Sequence, residues 1–537
     1  MKRNLLKAAS LLLVTALLSS SAVGCSSKKD STSNPAATTT AEATKGPPVE
    51  IKIPVYERGN QGQSPADNSY WSKWIQENAL KDINVKVTYV PIPRTQDVDK
   101  FNMLLAANEA PDVIFSYDYP TISAFYGRGA FQEIPKDVLE KNGPNLVKTL
   151  GAEILKYGEV NGKQFYIPAK RPTAYNYVTV MRQDWLDKVG MPAPKTMDEY
   201  YQVLKAFKEK DPAGVGAANI IPATMTLANA KDPVSNYQWR PDNISEEEFA
   251  MYSDVAIGAL PWAADKERLK FNNKLFNEGL ISPEFALDKD GKKAEADFMN
   301  GKAGVFGFFL SSNPPIIQTL MKNVPTAKLM VPDYGRLQKD KQSTGRAYWP
   351  FGMLSGINKS SKNMASVIKF YDWMSKPEIS SVLQNGVEGK NYTKTNGVNT
   401  PVAGFNGEER LLNGTNKDYW CLVTEAVDLG SDEANMKADA AVRAPEGFTY
   451  IMEDTFKITK ANKQIPDFLF DKPVAALTKN QKTLQQKYEE ACTKLIMAKP
   501  GEFDKLYDQL VKDYLASGYQ EILTEKQKLY KDMKAAK

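Results

Sequence analysis

The sequence contains no histidine. That absence removes Ser-His-Asp and Cys-His nucleophile systems, histidine-bound zinc and imidazole general bases from the chemistry open to the chain. Carboxylate-pair glycosidases and tyrosine-based lyases survive it, since neither needs an imidazole. Cysteine is scarce as well, with three residues, Cys25, Cys421 and Cys492. With Cys25 used elsewhere, only the other two are left to pair, and their spacing along the chain does not fix their distance. Past the first 25 residues no stretch is long and apolar enough to cross about 30 Å of hydrocarbon. No Gly-x-x-x-x-Gly-Lys-Ser/Thr phosphate loop occurs. The formal charge is only +5, and Lys2, Arg3 and Lys7 carry three of it. Without a concentrated basic stripe there is no basis for a nucleic-acid partner.

What is present begins with an export pattern. Lys2, Arg3 and Lys7 accompany a mostly apolar stretch from Leu5 through Leu18, which closes on Ala22-Val23-Gly24-Cys25. The run is too short for a stable membrane span and reads as the apolar core of a signal peptide. Small residues directly before a cysteine resemble a bacterial lipobox, whose thiol is acylated and becomes the new amino terminus. An ordinary signal peptide with an incidental cysteine is the plainer alternative. Residues 26–48 are mainly Ser, Thr, Ala, Lys and Pro without apolar periodicity. Such a stretch cannot bury enough surface to offset its ordering entropy, so a flexible leash is expected. The expected order is signal peptide 1–24, tether 25–49, then about 490 residues, more than one core usually holds.

Over the full 537 residues, 42% are hydrophobic and 25% charged, ordinary for a globular protein. Residues 50–56 and 84–90 alternate as strands around a helix from Trp71 to Leu80. An amphipathic helix from Asp97 to Asn108 precedes a short buried strand, Pro111 to Phe115. Strand, helix, strand, helix, strand at these lengths predicts parallel α/β layers. Further strands are expected at 163–168, 177–181, 304–309 and 349–357. Thr196 and Glu199 form a capping-box pattern opening a helix through Lys208. Helices are also expected at 271–278 and 364–374. Residues 478–537 should be helix-rich, with Leu506, Leu510, Val511, Tyr514 and Leu515 on one apolar stripe.

Five strings in order carry a family resemblance. They are FNMLLAANEAPDVI from Phe101, GRGAFQEI from Gly127, RQDWLDKVG from Arg182 with PKTMDE from Pro194, EGLISPEF from Glu278 with FMNGKAG from Phe298, and NGVEGKNYT from Asn385. Together they resemble family 1 extracellular solute-binding lipoproteins of carbohydrate ABC importers, in the LipO-like and alginate-binding-like branch. The resemblance implies an α/β, two-lobed periplasmic-binding-protein-like fold of class II. One lobe would span 50–171 plus 336–376 and the other 172–335 plus 377–537, with crossings near residues 172, 335 and 376. It further implies a monomer that captures an oligosaccharide by hinge closure and delivers it to permease subunits. No catalysis and no cofactor are implied. The location would be the outer face of a membrane, Gram-positive in type, held by the lipid on Cys25.

In that branch the loop corresponding to residues 211–222 usually reads like a calcium-binding EF-hand loop. Here Asp211 is retained and Asn219 keeps an oxygen, but Ala213, Val215 and Ile220 offer none. Calcium takes about six to eight oxygens, so the turn is expected to persist without tight calcium binding.

Sugars offer apolar C–H faces and rings of hydroxyls, so their sites pair aromatic platforms with charged or amide groups. Strand ends supply the candidates. Arg58 follows the first strand, Tyr117 and Asp118 follow the 111–115 strand, and Arg171 and Tyr175 follow Ile167-Pro168. Phe308 lies near the end of the 304–309 strand. Trp239, Trp262 and Trp349 occupy turn-like contexts. Each has a plainer reading: indoles and Phe308 as core, Asp118 as a cap, the arginines as salt-bridge partners. Trp185 and Trp373, on amphipathic helices, read as core. Two other classes stay open, a cell-surface glycosidase or polysaccharide lyase and a sugar sensor that signals to a membrane kinase.

Overall fold

Ile51, Ile53 and Val55 are buried while Glu50 and Lys52 face solvent, the alternation of a strand with one face on a core. This strand, β1 (Val49–Glu57), leads through α1 (Tyr70–Ile83) to β2 (Val85–Pro93). The two strands pair in parallel from Val49↔Val85 to Glu57↔Pro93. A reciprocal Ser69/Ser72 cap starts α1, and Asn84 ends it in the left-handed region at φ 54°. Next come α2 (Asp97–Ala106), β3 (Val113–Ser116), α3 (Tyr119–Gly127), α4 (Lys136–Asn142) and α5 (Pro144–Leu155). A small hairpin, β4 (Glu159–Val160) and β5 (Lys163–Gln164), precedes β6 (Tyr166–Lys170).

The computed structural model describes residues 46–59, 64–172, 177–226, 239, 243–253, 257–309, 314–333, 336–338, 341–342, 345–347, 349–395, 398–402, 417–425, 429, 431–466 and 468–535. The expected signal peptide, Cys25, most of the tether and Tyr175 lie outside them.

The second half opens with β7 (Tyr177–Arg182), α6 (Gln183–Val189), α7 (Met197–Lys210) and β8 (Ile221–Ala223). It continues through α8 (Glu246–Tyr252), α9 (Ala263–Asn277), α10 (Lys292–Met299), β9 (Ala303–Phe309), α11 (Pro314–Asn323) and β10 (Leu329–Met330). The strand order is β10-β7-β9-β8, with β8 parallel and β7 antiparallel to β9. This sheet is covered on both faces: Val178 and Val180 of β7 enter one core and Met181 another.

The chain then returns through β11 (Arg336–Gln338), β12 (Lys341–Gln342) and β13 (Gly345–Ala347) to β14 (Phe351–Ile357). Strand β14 is wholly buried and antiparallel to both neighbours, β3 and β6. After it come α12 (Met364–Met374), α13 (Pro377–Asn385), the hairpin β15 (Tyr392–Thr395) and β16 (Val398–Pro401), and α14 (Lys417–Trp420). The C-terminal part is α15 (Asp432–Arg443), α16 (Thr449–Ala461), β17 (Gln464–Pro466), α17 (Ala475–Ile496), α18 (Phe503–Tyr514) and α19 (Gln520–Ala535). Strand β17 pairs in parallel with β13.

One core collects buried residues from 51–169, 351–383 and 419–423, centred on β1, β3, β14 and α12. Leu383 and residues 419–423 therefore pack with the first lobe, whereas a return crossing near 376 would have assigned them to the second. The apolar stripe from Leu506 to Leu515 packs as its spacing predicted, with Tyr514 buried and the others against the second lobe's core. Cys421 lies in the first core and Cys492 in the second, and no disulfide joins them. Burial pushes the Cys492 thiol up to about 12, so it stays protonated and inert.

Burial also lifts the phenols of Tyr56, Tyr89, Tyr117 and Tyr488 well above the ordinary tyrosine value. A raised folded-state pKa confers stability that is fully present below the unfolded value of about 10 and is lost as pH rises beyond it. With no imidazole to titrate, the urea midpoint should be nearly level from about pH 6 to 9 and fall steeply above about pH 10. A midpoint that dropped by half between pH 6 and 8 would contradict this account.

Candidate site at the carboxyl edge of the first lobe

Strands β1 and β2 run together, and β3 and β6 share a direction because both oppose β14. The two groups are co-directional. Asp112, just before β3, donates its N–H to the Lys52 carbonyl of β1 at 3.0 Å, while Tyr56 further along β1 meets Phe115 at 4.6 Å between ring centres. The carboxyl ends of β1, β2, β3 and β6 thus lie on one edge, where open α/β sheets receive ligands. Arg58, Arg94, Tyr117 with Asp118, and Arg171 follow those four ends in turn. Trp349 enters the oppositely directed β14 at the same edge.

A strap formed by α14 and residues 421–425 closes along this edge. Its apolar residues Leu422 and Val423 are buried, and its backbone extends β6: Lys170 N–H reaches the Val423 carbonyl at 2.9 Å and Glu425 N–H the Lys170 carbonyl at 2.8 Å. The strap brings two acids to the arginines. Asp418 accepts Arg58 Nε at 2.5 Å and Nη2 at 2.8 Å, and the Tyr117 hydroxyl donates to the same carboxylate at 3.3 Å. Glu425 accepts Arg171 Nε at 2.6 Å and Nη2 at 3.4 Å, while Arg171 Nη1 donates to the Trp349 carbonyl at 3.3 Å. These are two-pronged pairs, the geometry that suits a planar guanidinium.

A tyrosine pair lies against Arg58 and Arg94. Tyr56 and Tyr117 stack with centres 6.0 Å apart. The Arg58 guanidinium lies 5.8 Å from the Tyr56 ring centre and 5.9 Å from that of Tyr117, and Arg94 lies 4.8 and 5.7 Å from the same rings. Arg94 also pairs with Asp97 at 3.2 Å, and the Tyr56 hydroxyl donates to that carboxylate at 2.7 Å. Burial disfavours the charged form of Arg58, but its hydrogen bonds to Asp418 and that acid's charge more than offset this, so Arg58 holds its proton more tightly than usual. Trp349 is half-buried, stacked on Phe351 at 5.7 Å and tilted against Tyr157 at 5.9 Å. Aromatic faces, guanidinium donors and carboxylate acceptors therefore share one edge.

Other candidates sit elsewhere or serve the fold. The Asp118 carboxylate caps α3, accepting Thr121 N–H at 3.1 Å and its hydroxyl at 2.5 Å. Trp262 is a correction: only 2% exposed, it stacks on Tyr252 at 5.9 Å and donates Nε1 to Glu248 at 2.8 Å. A turn context marks an indole as near a helix start without saying which way it faces. Trp239 is half-buried against Phe271, 5.3 Å between centres, at the second lobe's core. Phe308 pairs with Val178 near the end of β9. Arg94 was within reach of the strand-end rule that singled out Arg58. Asp418 and Glu425 had no signal, since each meets its arginine only through a distant return of the chain.

The loop after α7 holds its shape through protein groups. Asp211 ends the helix at φ 43°, and its carboxylate accepts Val215 N–H at 3.2 Å and Gly216 N–H at 2.6 Å. Asn219 donates its amide to the Val215 carbonyl at 2.9 Å. Lys188 Nζ donates to the Pro212 carbonyl at 2.6 Å and Lys208 Nζ to the Ala217 carbonyl at 2.7 Å. Both Asp211 oxygens thus face N–H groups, and ammonium groups sit on carbonyls that a cation would want. These residues do not fit a calcium ion. Millimolar calcium or a chelator should leave the melting temperature unchanged, and a micromolar calcium affinity at this loop would overturn that reading.

Two α/β lobes, the first with the carboxyl ends of β1, β2, β3 and β6 on one edge, make up the fold. Residues 62–380 match the family described as bacterial extracellular solute-binding protein, and the chain belongs to that family. It is 32% identical over 355 residues to Lipoprotein LipO of Bacillus subtilis (strain 168), covering 63% of this chain and 67% of that protein. It is 25% identical over 371 residues to the polygalacturonan/rhamnogalacturonan-binding protein YtcQ of the same organism, covering 66% and 69%. The S. pneumoniae ABC-transporter substrate-binding protein FusA, in complex with kestose, shares the fold with a TM-score of 0.67 at 18% identity, over 91% of this chain and 100% of that chain.

Proposed function

We propose that this protein captures an oligosaccharide at the carboxyl edge of its first lobe and passes it to the membrane subunits of an ABC importer. The observation that carries the reading is the convergence of Arg58, Tyr117, Arg171 and Trp349 on one edge, where aromatic faces stand beside hydrogen-bonding groups. Relatives named for polygalacturonan and rhamnogalacturonan, or solved with kestose, support a glycan as the solute. Tyr175 and Phe308 are the candidates for the facing lobe, which closes by a hinge at crossings near residues 172 and 335. The protein acts as a monomer, held outside the membrane by a lipid on Cys25 with residues 26–49 as its spacer. It binds without turnover.

Calorimetry and thermal-shift assays against a panel of oligosaccharides test this. A cognate sugar at about 100 times its dissociation constant should add about 2.7 kcal/mol to the stability of the binding unit. Trp349→Ala should then weaken binding about tenfold or more, ~1.4 kcal/mol. New reducing ends or unsaturated uronates in the same mixtures would show an enzyme instead. A panel that produced no stabilisation would also defeat the reading.

A further inference from the structure

We infer that the sugar held at this edge is uncharged, because each arginine the strand ends present there is already matched by a carboxylate of the chain itself. The inference rests on the oligosaccharide reading above and narrows it to a ligand class.

Arg58 meets Asp418 through two hydrogen bonds, with side chains 26% and 3% exposed. Arg171 meets Glu425 in the same two-pronged way, at 12% and 7%. Arg94 meets Asp97 at 3.2 Å. Asp418 and Glu425 both come from the strap, whose backbone is fastened to β6 on either side of Lys170. Glu425 is held to β6 by its own backbone N–H, and Asp418 is buried, 2% exposed, against Arg58 and Tyr117. A uronate entering here would bring its negative charge close to these acids within a partly desolvated edge, where screening is weak. Its carboxylate would also offer only acceptors to a surface that already displays acceptors. A sugar hydroxyl both donates and accepts. Guanidinium N–H groups beside carboxylate oxygens therefore suit vicinal hydroxyls, and the partly exposed Trp349 and Tyr117 rings suit the C–H faces.

The test compares the purified protein's affinity for matched pairs that differ chiefly in charge, such as tetragalacturonate against its methyl ester and glucuronoxylan fragments against the same fragments with their uronate carboxyl groups reduced to primary alcohols. For any pair that binds, the neutral member should bind at least tenfold tighter, and its affinity should be insensitive to salt. Asp418→Asn keeps the side-chain shape and frees the charge of Arg58, and Glu425→Gln does the same for Arg171. Each variant should narrow or reverse the preference by at least tenfold, and Glu425→Gln serves if Asp418→Asn fails to fold. A wild-type preference for the uronate overturns the inference while leaving the oligosaccharide reading in place. Variants that bind sugar with an unchanged ratio overturn the role given to the two acids. If no neutral or acidic glycan binds, the oligosaccharide reading itself fails and the inference falls with it.

Discussion

Asp265→Ala should cost about 3–5 kcal/mol, the usual effect of stripping one partner from a buried ion pair. Asp265 is fully buried on α9 and accepts Arg268 Nε at 2.9 Å and the Tyr488 hydroxyl at 2.5 Å. Arg268 in turn donates to the Tyr488 oxygen at 3.0 Å and lies 3.9 Å from Cys492 Sγ, both on α17. This network ties the long C-terminal helix to the second lobe. Gly258 makes room for it, because a Cβ there would lie 2.1 Å from the Tyr488 ring. Removing the carboxylate takes away the ion pair and hydrogen bond that Asp265 gives a guanidinium only 8% exposed. Urea unfolding followed by tryptophan fluorescence would measure the loss. The double variant Asp265→Leu with Arg268→Met should lose much less, since it removes both charges together. A single variant within about 0.5 kcal/mol of the wild type would refute the network's importance.

Trp373→Ala should cost a comparable amount, about 3–5 kcal/mol, by emptying the centre of the other lobe. The indole of Trp373 is fully buried, stacked on Phe370 at 6.0 Å and tilted against Trp74 of α1 at 6.1 Å. Its Nε1 donates to Asp82 at 2.9 Å, a hydrogen bond that the truncation also removes. Because the two cores are separate, Asp265→Ala should unfold the second lobe first and Trp373→Ala the first lobe first. Multi-lobed chains need not unfold in one step. A sugar that binds the first lobe's edge should rescue the Trp373 variant more than the Asp265 variant, and equal rescue would count against that location.

Much of the architecture was legible locally. The alternation at 50–56 and 84–90 became β1 and β2, and the amphipathic spacing at 364–374 became α12 with Val367, Phe370, Tyr371 and Met374 buried. Thr196 caps α7 as its pattern predicted, accepting Glu199 N–H at 3.2 Å. The return arm differs: the Glu199 carboxylate takes the N–H of Lys195, at 2.7 Å, in place of that of Thr196. The indoles were legible only in part. Trp373 and Trp185 read as core from helix spacing, whereas Trp262 precedes its helix and showed no periodicity from which burial could be read.

The sequence alone determined which chemistry is closed to this protein and which family it resembles, since a missing imidazole and short ordered strings need no third dimension. It also set the strands whose ends carry Arg58, Tyr117 and Arg171, because alternation and capping act over a few residues. Only the tertiary structure decided what those arginines meet. Asp418 lies 360 residues from Arg58 and Glu425 lies 254 from Arg171. Which acid neutralises which base depends on where the returning chain is laid against the sheet, and local patterns hold no record of that.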